Sequence, residues 1–139
     1  MPGAPEMDLW YSFDKKNWEE FEIGVLDSNT FEVATHGTVI TLENIGDKVY
    51  FKGNNDHGFC VYDEEKSHSY PNEFIIREKK ISVSGNIMTI MNETGVNNTL
   101  YENNFDKLFV DCYMLTDASE LELPSMTLAP YCYSYMFAN

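Results

Sequence analysis

The sequence predicts a mainly-β protein in which an antiparallel β-sandwich is followed by the start of a repeat solenoid. Two observations support this prediction. Alternating apolar runs are separated by Gly, Asn, Asp and Pro turn signals about every 8–12 residues, which is typical of a sandwich. Near the end of the 139-residue chain, one apolar pattern occurs twice with its phenylalanines, Phe109 and Phe137, 28 positions apart. A period of that size is typical of a solenoid.

The first predicted elements are two hairpins. Residues 1–7 contain two prolines and a glycine and are expected to form an extended tail. Residues 9–13 and 18–23 flank a polar four-residue turn, which predicts a hairpin whose core is closed by Trp10 and Trp18. Residues 31–35 and 38–42, joined by a turn at His36 and Gly37, predict a second hairpin.

Further strands complete the predicted sandwich. Residues 48–52 alternate between polar and apolar side chains, as a half-buried strand does. The polar segment 63–72, which contains Pro71, is predicted to be a mobile loop. The remaining predicted strands are 59–62, 74–76, 80–84 and 87–91.

The segment 92–98 is rich in Asn and Gly and is interpreted as a boundary. The sequence thus predicts a tail over 1–7, a β-sandwich module over 8–91, a linker over 92–98 and a repeat region over 99–139. Within the repeat region, the spacing of apolar residues between 99 and 109 predicts a short helix.

The repeat region contains about one and a half copies of its pattern. A solenoid unit cannot bury its apolar face alone, because its neighbours supply the other half of each core layer. We therefore expect a protein partner, a neighbouring copy in a homo-oligomer or further repeats of the chain itself to cover the last unit. The residues predicted to form that interface are Tyr131, Tyr133, Tyr135, Met136 and Phe137.

Charge and cysteine content exclude several classes of function. The formal net charge of −14 argues against nucleic acid or an anionic membrane as a partner and suits solubility. No apolar stretch has the length of a membrane span. Cys112 and Cys132 lie within the repeat pattern, where buried free thiols are expected, and Cys60 is the third cysteine.

The sequence offers no recognisable catalytic or metal-binding constellation. His57 and Cys60 have the spacing of half a zinc site, but no second pair lies nearby. A calcium loop beginning at Asn54 would place Phe59 where glycine is required. No nucleophile-elbow, phosphate-loop or zinc-protease motif occurs. We therefore expect no metal, no cofactor and no enzymatic activity, and a hydrolase is the least favoured alternative.

Aromatic side chains near polar loops are the better functional signal. Tyr62 directly precedes the polar segment 63–72, Tyr70 lies near its end, and both are expected to be exposed. Tyrosine rings can stack on sugars or anchor a protein partner. With the loop residues Asn54, Asn55 and Asp56, they form the predicted ligand-binding site, and a carbohydrate-binding module is the alternative function.

The repeat pattern resembles that of the BspA-like leucine-rich-repeat surface proteins of gut bacteria and their phages. The resemblance is carried by Leu108-Phe109, Cys112, Leu115-Thr116, Leu123-Pro124, Thr127-Leu128-Ala129, Cys132-Tyr133 and Met136-Phe137. The part before the repeats is also similar to the module that precedes them in this family. There the matching residues are Tyr11-Ser12-Phe13-Asp14 with Trp18, the stretch 46–53 and the stretch 84–88.

The resemblance implies a β-sandwich leading into a right-handed solenoid with a short strand and a helix in each repeat. It also implies non-enzymatic display, adhesion or attachment, either on a bacterial cell surface or in a phage virion as a fibre or decoration protein. Family arrays usually contain many repeats, whereas this chain reaches only its second. Exported members carry a signal peptide, which residues 1–8 lack, and this difference favours a virion.

Overall fold

A computed structural model describes residues 7–26, 33–35, 37–55, 58–63, 68–76 and 78–138. This part of the chain is mainly β, which confirms the predicted class. Its one helix is a 3-10 helix over Ile87–Ile90. Its strands are β1 (Trp10–Ser12), β2 (Glu19–Glu20), β3 (Val25–Leu26), β4 (Val33–Thr35), β5 (Tyr50–Lys52), β6 (Cys60–Asp63), β7 (His68–Pro71), β8 (Ile81–Asn86) and β9 (Leu115–Glu122).

The described strands form four small sheets. A three-stranded sheet has the order β2-β1-β5, and two-stranded sheets are formed by β3 with β4, β6 with β7, and β8 with β9. The first three sheets are antiparallel, whereas β8 and β9 are parallel. Parallel strands require a long crossover, and here the connection between β8 and β9 includes the 3-10 helix and residues 91–114.

The first predicted hairpin is confirmed. In the β1–β2 pair, Trp10 lies opposite Glu20 and Tyr11 opposite Glu19. The Asp14 carboxylate closes the turn by accepting the backbone N–H groups of Lys16 and Asn17, both at 2.8 Å. These hydrogen bonds hold the pKa of Asp14 well below its usual range. An aspartate that bonds the backbone two and three residues later is a turn-forming device readable from sequence.

The second predicted hairpin is wrong. β4 pairs with β3, and residues 37–43 contain no strand. The reason is a close approach of two backbones: a Cβ atom on Gly37 would lie 2.4 Å from the Glu22 carbonyl oxygen. The Thr38 N–H donates to that same oxygen at 2.7 Å. The chain after Gly37 therefore lies against residues 22–24, while His36, from the predicted turn, is outside the described residues.

Three other local predictions are corrected by the structure. The predicted loop 63–72 contains β7, whose four residues pair with β6. The predicted strand 87–91 is instead the 3-10 helix, begun by Asn86, whose side chain accepts the Met88 N–H at 2.8 Å. Short continuous apolar runs do not distinguish a buried strand from a helix, which explains this error. The predicted helix over 99–109 is a succession of turns.

One buried apolar cluster includes residues from both sides of the segment 92–98. Leu9, Phe59 and Met88 come from the first part of the chain, and Phe105 and Leu108 from the second. The cluster is completed by Ile87, Ile90, Met91, Phe109, Cys112 and Met136. The division of the chain at 92–98 stays a prediction, and the core continues across it.

A path of ring contacts leads from the first sheet to the repeat region. The ring of Tyr11 lies edge-on to that of Phe21, Phe21 to Phe51 and Phe51 to Phe74, with centroid distances of 6.1, 5.8 and 5.3 Å. Phe74 then stacks on Phe109 at 5.5 Å. Edge-to-face and offset-stacked contacts are the favoured geometries of aromatic pairs. The first sheet is thereby packed onto the side of the repeat region.

Asn55 joins its own segment to two others through one buried side chain, which is 7% exposed. Its amide nitrogen donates to the carbonyl oxygens of Asp8 at 2.8 Å and Ile90 at 2.6 Å. Its amide oxygen accepts the Asp8 N–H at 2.9 Å. Its own backbone N–H donates to the Met91 carbonyl at 2.7 Å. Asn55 therefore ties the start of β1 to the 3-10 helix.

Replacing Asn55 with alanine is expected to lower the free energy of unfolding by about 2–4 kcal/mol. The substitution leaves buried backbone groups of Asp8 and Ile90 without partners, at a cost of about 1–3 kcal/mol each. Urea unfolding followed by tryptophan fluorescence measures the change. The matched control is Asn54→Ala, at an exposed neighbouring asparagine, which should cost less than about 1 kcal/mol. Equal effects of the two substitutions would contradict the role given to Asn55.

Candidate interaction surface

The two copies of the repeat pattern form two stacked segments of similar backbone. We call residues 101–112 the inner coil and residues 129–138 the outer coil. In each coil the even-numbered amides donate to the carbonyl three residues earlier, as Leu108 does to Phe105 and Met136 to Tyr133, both at 3.3 Å. Each coil is therefore a run of successive turns closed by its own hydrogen bonds.

The odd-numbered amides of the inner coil connect the two coils. Phe105 donates to the Cys132 carbonyl at 2.8 Å, and Phe109 donates to the Met136 carbonyl at 2.9 Å. The other members of this ladder are Asn103 to Pro130, Lys107 to Ser134 and Asp111 to Ala138, at 2.8–3.1 Å. Because each bond joins residues 27 positions apart, the ladder keeps the coils in a constant register.

The backbone angles repeat with the same period as the sequence. Asn103 and Tyr131 have φ of 57° and 56°, and Lys107 and Tyr135 have φ of 57° and 50°. Each pair is 28 positions apart, and within a coil every fourth residue is left-handed. Residues with a Cβ disfavour this conformation by about 1–2 kcal/mol, so the surrounding hydrogen bonds must maintain it. A left-handed residue in every fourth position also prevents the helix that was predicted here.

Aromatic rings stack along the same direction as the ladder. Phe109 lies between Phe74 and Phe137, with centroid distances of 5.5 and 5.6 Å and interplanar angles of 19° and 13°. Phe105 stacks on Tyr133 at 5.9 Å and 12°. Phe105 and Phe109 are buried, at 1% and 6% exposed. The pattern positions singled out in the sequence therefore form the packed interior of the coils.

A third layer lies on the opposite side of the inner coil and was not predicted. The Phe59 amide donates to the Asn104 carbonyl at 3.1 Å, and the Phe74 amide donates to the Leu108 carbonyl at 2.8 Å. As in the bonds from Phe105 and Phe109 to the outer coil, the acceptor is the residue just before an aromatic residue of the next coil. Phe59 and Phe74 are 15 positions apart, whereas Phe105 and Phe109 are four apart, so spacing could not reveal the equivalence. We call this layer, with β8 beside β9, the basal layer.

The predicted ligand-binding residues do not form one described cluster. Asn55 is buried and uses its amide internally. Asn54 is exposed, and its side chain exchanges hydrogen bonds with Glu93 at 3.3–3.4 Å. Asp56 lies outside the described residues. In the β6–β7 pair, Tyr62 lies opposite Ser69 and Tyr70 opposite Val61. The two tyrosines therefore occupy successive rungs of one hairpin.

The predicted interface residues lie on the outer coil, and their exposure differs. Tyr131 and Tyr135 are 67% and 68% exposed, and Phe137 is 44% exposed. Tyr133 is half-buried, and burial raises the pKa of its phenol. Met136 is buried in the core. The structure thus brings three exposed aromatic residues together on the outer coil and directs Met136 inwards.

Two open cavities lie on the described surface. The smaller, of about 130 Å³, lies between Phe109 and Cys112 of the inner coil, Leu115 of β9 and Phe137 of the outer coil. The larger, of about 540 Å³, lies between Phe13, Tyr50 and residues 41–48. The Lys15 ammonium lies 4.5 Å from the centre of the Tyr50 ring. The smaller cavity adjoins the exposed aromatic residues of the outer coil.

Cys112 is a structural thiol. The predicted buried free thiols of Cys112 and Cys132 are confirmed. The Cys112 thiol donates to the Phe74 carbonyl at 3.0 Å, and burial raises its pKa. A nucleophilic thiol requires the opposite shift, because the thiolate is the reactive form. Among the described residues, no three His, Cys, Asp or Glu side chains are grouped as metal ligands.

The chain matches no family model, no curated protein and no solved structure. Within the described residues, no helix combines the length and the hydropathy needed to cross a membrane.

Replacing Phe109 with alanine is expected to cost about 3–5 kcal/mol of unfolding free energy, because it leaves a cavity between two stacked rings. Phe137→Ala, at the other end of the same stack, should cost about 1 kcal/mol, since that ring is partly exposed and stacked on one described ring. Urea unfolding of the two variants provides the comparison. A Phe137 variant as unstable as the Phe109 variant would show that the outer coil does not have an open side.

The stability of the protein is expected to fall above pH 9 through Cys112. Its folded pKa is raised above the ordinary value of 9.0, so the unfolded thiol ionises first as the pH rises. The stabilisation is therefore complete below pH 9 and is lost as the pH approaches the folded pKa. Urea unfolding at several pH values between about 8 and 10.5 should give a flatter pH dependence for Cys112→Ala. Parallel curves would show that the thiol titrates normally.

Proposed function

We propose that this chain is a non-enzymatic attachment or display module built on a leucine-rich-repeat-like solenoid. The observation that supports this most strongly is the 28-residue period, which occurs in the sequence, in the hydrogen bonds and in the backbone angles. In this proposal the basal layer, the inner coil with β9 and the outer coil are successive turns. Solenoids provide extended surfaces for binding.

The part of the chain before residue 92 has the role of a cap in this proposal. A solenoid needs a terminal unit whose outer side is polar, because each end of the stack otherwise exposes apolar surface. Phe59, Phe74 and β8 supply the basal layer, and the small antiparallel sheets pack around it. We propose further that these small sheets belong to a β-sandwich. The net charge of −14 suits a protein displayed in solvent.

The resemblance to BspA-like proteins gives the proposed setting, which is a bacterial cell surface or a phage virion. The buried positions agree with the repeat pattern on which that resemblance depends. Phe109, Cys112, Cys132 and Met136 are all buried. This agreement supports a shared repeat architecture, and the setting follows from it by analogy.

A carbohydrate-binding module is the second candidate. Its predicted residues, Tyr62 and Tyr70, lie on the two strands of one two-stranded hairpin. Tyrosines held on strands provide rigid platforms for stacking against sugar rings. In this alternative the repeats would support the module, and the hairpin would carry the binding site.

Adhesion of the immobilised chain distinguishes the two functions. Chain coupled to beads is expected to retain bacterial cells or mucin, and heat unfolding of the chain should abolish retention. For a protein-mediated attachment module, retention should persist in the double variant Tyr62→Ser/Tyr70→Ser and in the presence of free sugars. The control variant is Tyr113→Ser, at a tyrosine just after the inner coil that is 70% exposed.

Loss of retention in the hairpin variant alone, together with competition by free sugars, would establish the carbohydrate-binding alternative. Absence of retention on every surface tested would contradict both functions.

A further inference from the structure

The open side of the outer coil has a directional set of hydrogen-bond donors. The inner-coil amides of Phe105 and Phe109 donate to the outer coil. Their equivalents in the outer coil, Tyr133 and Phe137, donate to no acceptor among the described residues. The same holds for Tyr131 and Tyr135. Four amides at alternate positions therefore lack an acceptor within the part of the chain that the structure describes.

Every carbonyl of the outer coil except that of Phe137 already accepts a backbone hydrogen bond. The even-numbered carbonyls, such as those of Cys132 and Met136, accept from the inner coil. The odd-numbered carbonyls, such as those of Tyr131 and Tyr133, accept from amides within the coil. The even-numbered amides are also used within the coil. Between residues 131 and 138, the backbone groups without a described partner are thus the four odd-numbered N–H groups and the Phe137 carbonyl.

We infer that this side takes one kind of partner, a further unit of the 28-residue pattern added in the same chain direction. Such a unit presents even-numbered carbonyls, which are the acceptors that the four amides require. A second copy of the chain placed face to face would set donors against donors. Each buried donor left without an acceptor is strongly unfavourable, so this symmetrical arrangement is excluded. The inference rests on the proposed solenoid and specifies its partner.

Side chains beside the ladder favour the same partner. Phe137 and Tyr133 each stack on one ring of the inner coil, which leaves their other faces available to a following unit. The 130 Å³ cavity between Leu115 and Phe137 has room for an apolar side chain. β9 pairs with β8 along one edge, and no other described strand pairs with it. One added turn would extend the hydrogen-bond ladder and the ring stacks, fill the cavity and pair with the free edge of β9.

The experiment uses the full chain extended after Asn139 by a second copy of its own residues 112–139, which continues the pattern in register. Amide hydrogen exchange, measured by NMR, reports each N–H separately. In the extended chain, the exchange rates of four amides should fall by at least about tenfold, a factor that corresponds to about 1.4 kcal/mol. These are the amides of Tyr131, Tyr133, Tyr135 and Phe137. The amides of Cys132, Ser134 and Met136, already bonded within the coil, should change little and serve as internal controls.

Two further measurements test whether the order of the added residues matters and whether a separate peptide can take the place of the extension. An extension with the same composition in scrambled order should leave the four odd-numbered amides fast. A synthetic peptide of residues 112–139, added to the unextended chain, should slow those amides as its concentration rises. If neither the extension nor the peptide protects them, the inference is overturned.

Protection of the odd-numbered amides in the unextended chain with increasing protein concentration would overturn it as well, because a second copy would then be the partner. These outcomes are separate from the adhesion test. Adhesion can fail while the exchange pattern holds, which would remove the proposed function and leave the partner assignment.

Discussion

The ladder of alternate amides between the inner and outer coils is the constraint on which the rest of the repeat region depends. Five hydrogen bonds, each joining residues 27 positions apart, fix the register of the two coils. Phe105 and Phe109 then meet Tyr133 and Phe137, and Met136 enters the core. In the outer coil, Cys132 and Met136 are buried and Tyr131 and Tyr135 are exposed, so a shift of one residue would bring the exposed tyrosines to the buried positions. The ladder bond from the Lys107 amide also helps to maintain a left-handed angle that this residue would not otherwise favour.

The part of the chain before residue 92 provides the first layer of this arrangement. Asn55 ties the start of β1 to the 3-10 helix, and Met88 of that helix is fully buried in the shared core. The ring of Phe74 stacks on that of Phe109, and its backbone amide donates to the Leu108 carbonyl. The inner coil is consequently covered on one side by irregular chain and on the other by its own repeat. Our proposed function depends on this asymmetry, because the basal layer covers one side of the inner coil while the outer coil presents N–H donors.

Some of this structure could be predicted from the sequence, because local chemistry determines it. The turn at Asp14 follows from a carboxylate able to reach nearby amides, and the 28-residue period follows from recurring apolar residues. The burial of Cys112 and Cys132 followed from their places in the pattern. The mainly-β class followed from the alternating apolar runs and the spacing of the turn signals.

Other features depend on contacts that no local pattern records. Gly37 lies against the Glu22 carbonyl, so β4 pairs with β3 rather than with the segment that follows it. The coil at 101–112 has apolar residues near helical spacing, yet its amides bond to a segment 27 positions away. Asn55 was predicted to bind a ligand, and its burial became evident only when Asp8 and Ile90 were seen beside it. The equivalence of Phe59 and Phe74 to repeat positions was hidden by their wider spacing.

Scalar couplings transmitted across hydrogen bonds test the central claim most directly, because they identify donor and acceptor together. In the unextended chain, we expect couplings from the amide nitrogens of Phe105, Lys107 and Phe109 to the carbonyl carbons of Cys132, Ser134 and Met136, respectively. Couplings from these nitrogens to carbonyls four residues earlier in the same segment would show a helix. That result would contradict the stacked coils and the 28-residue backbone period on which the account is based.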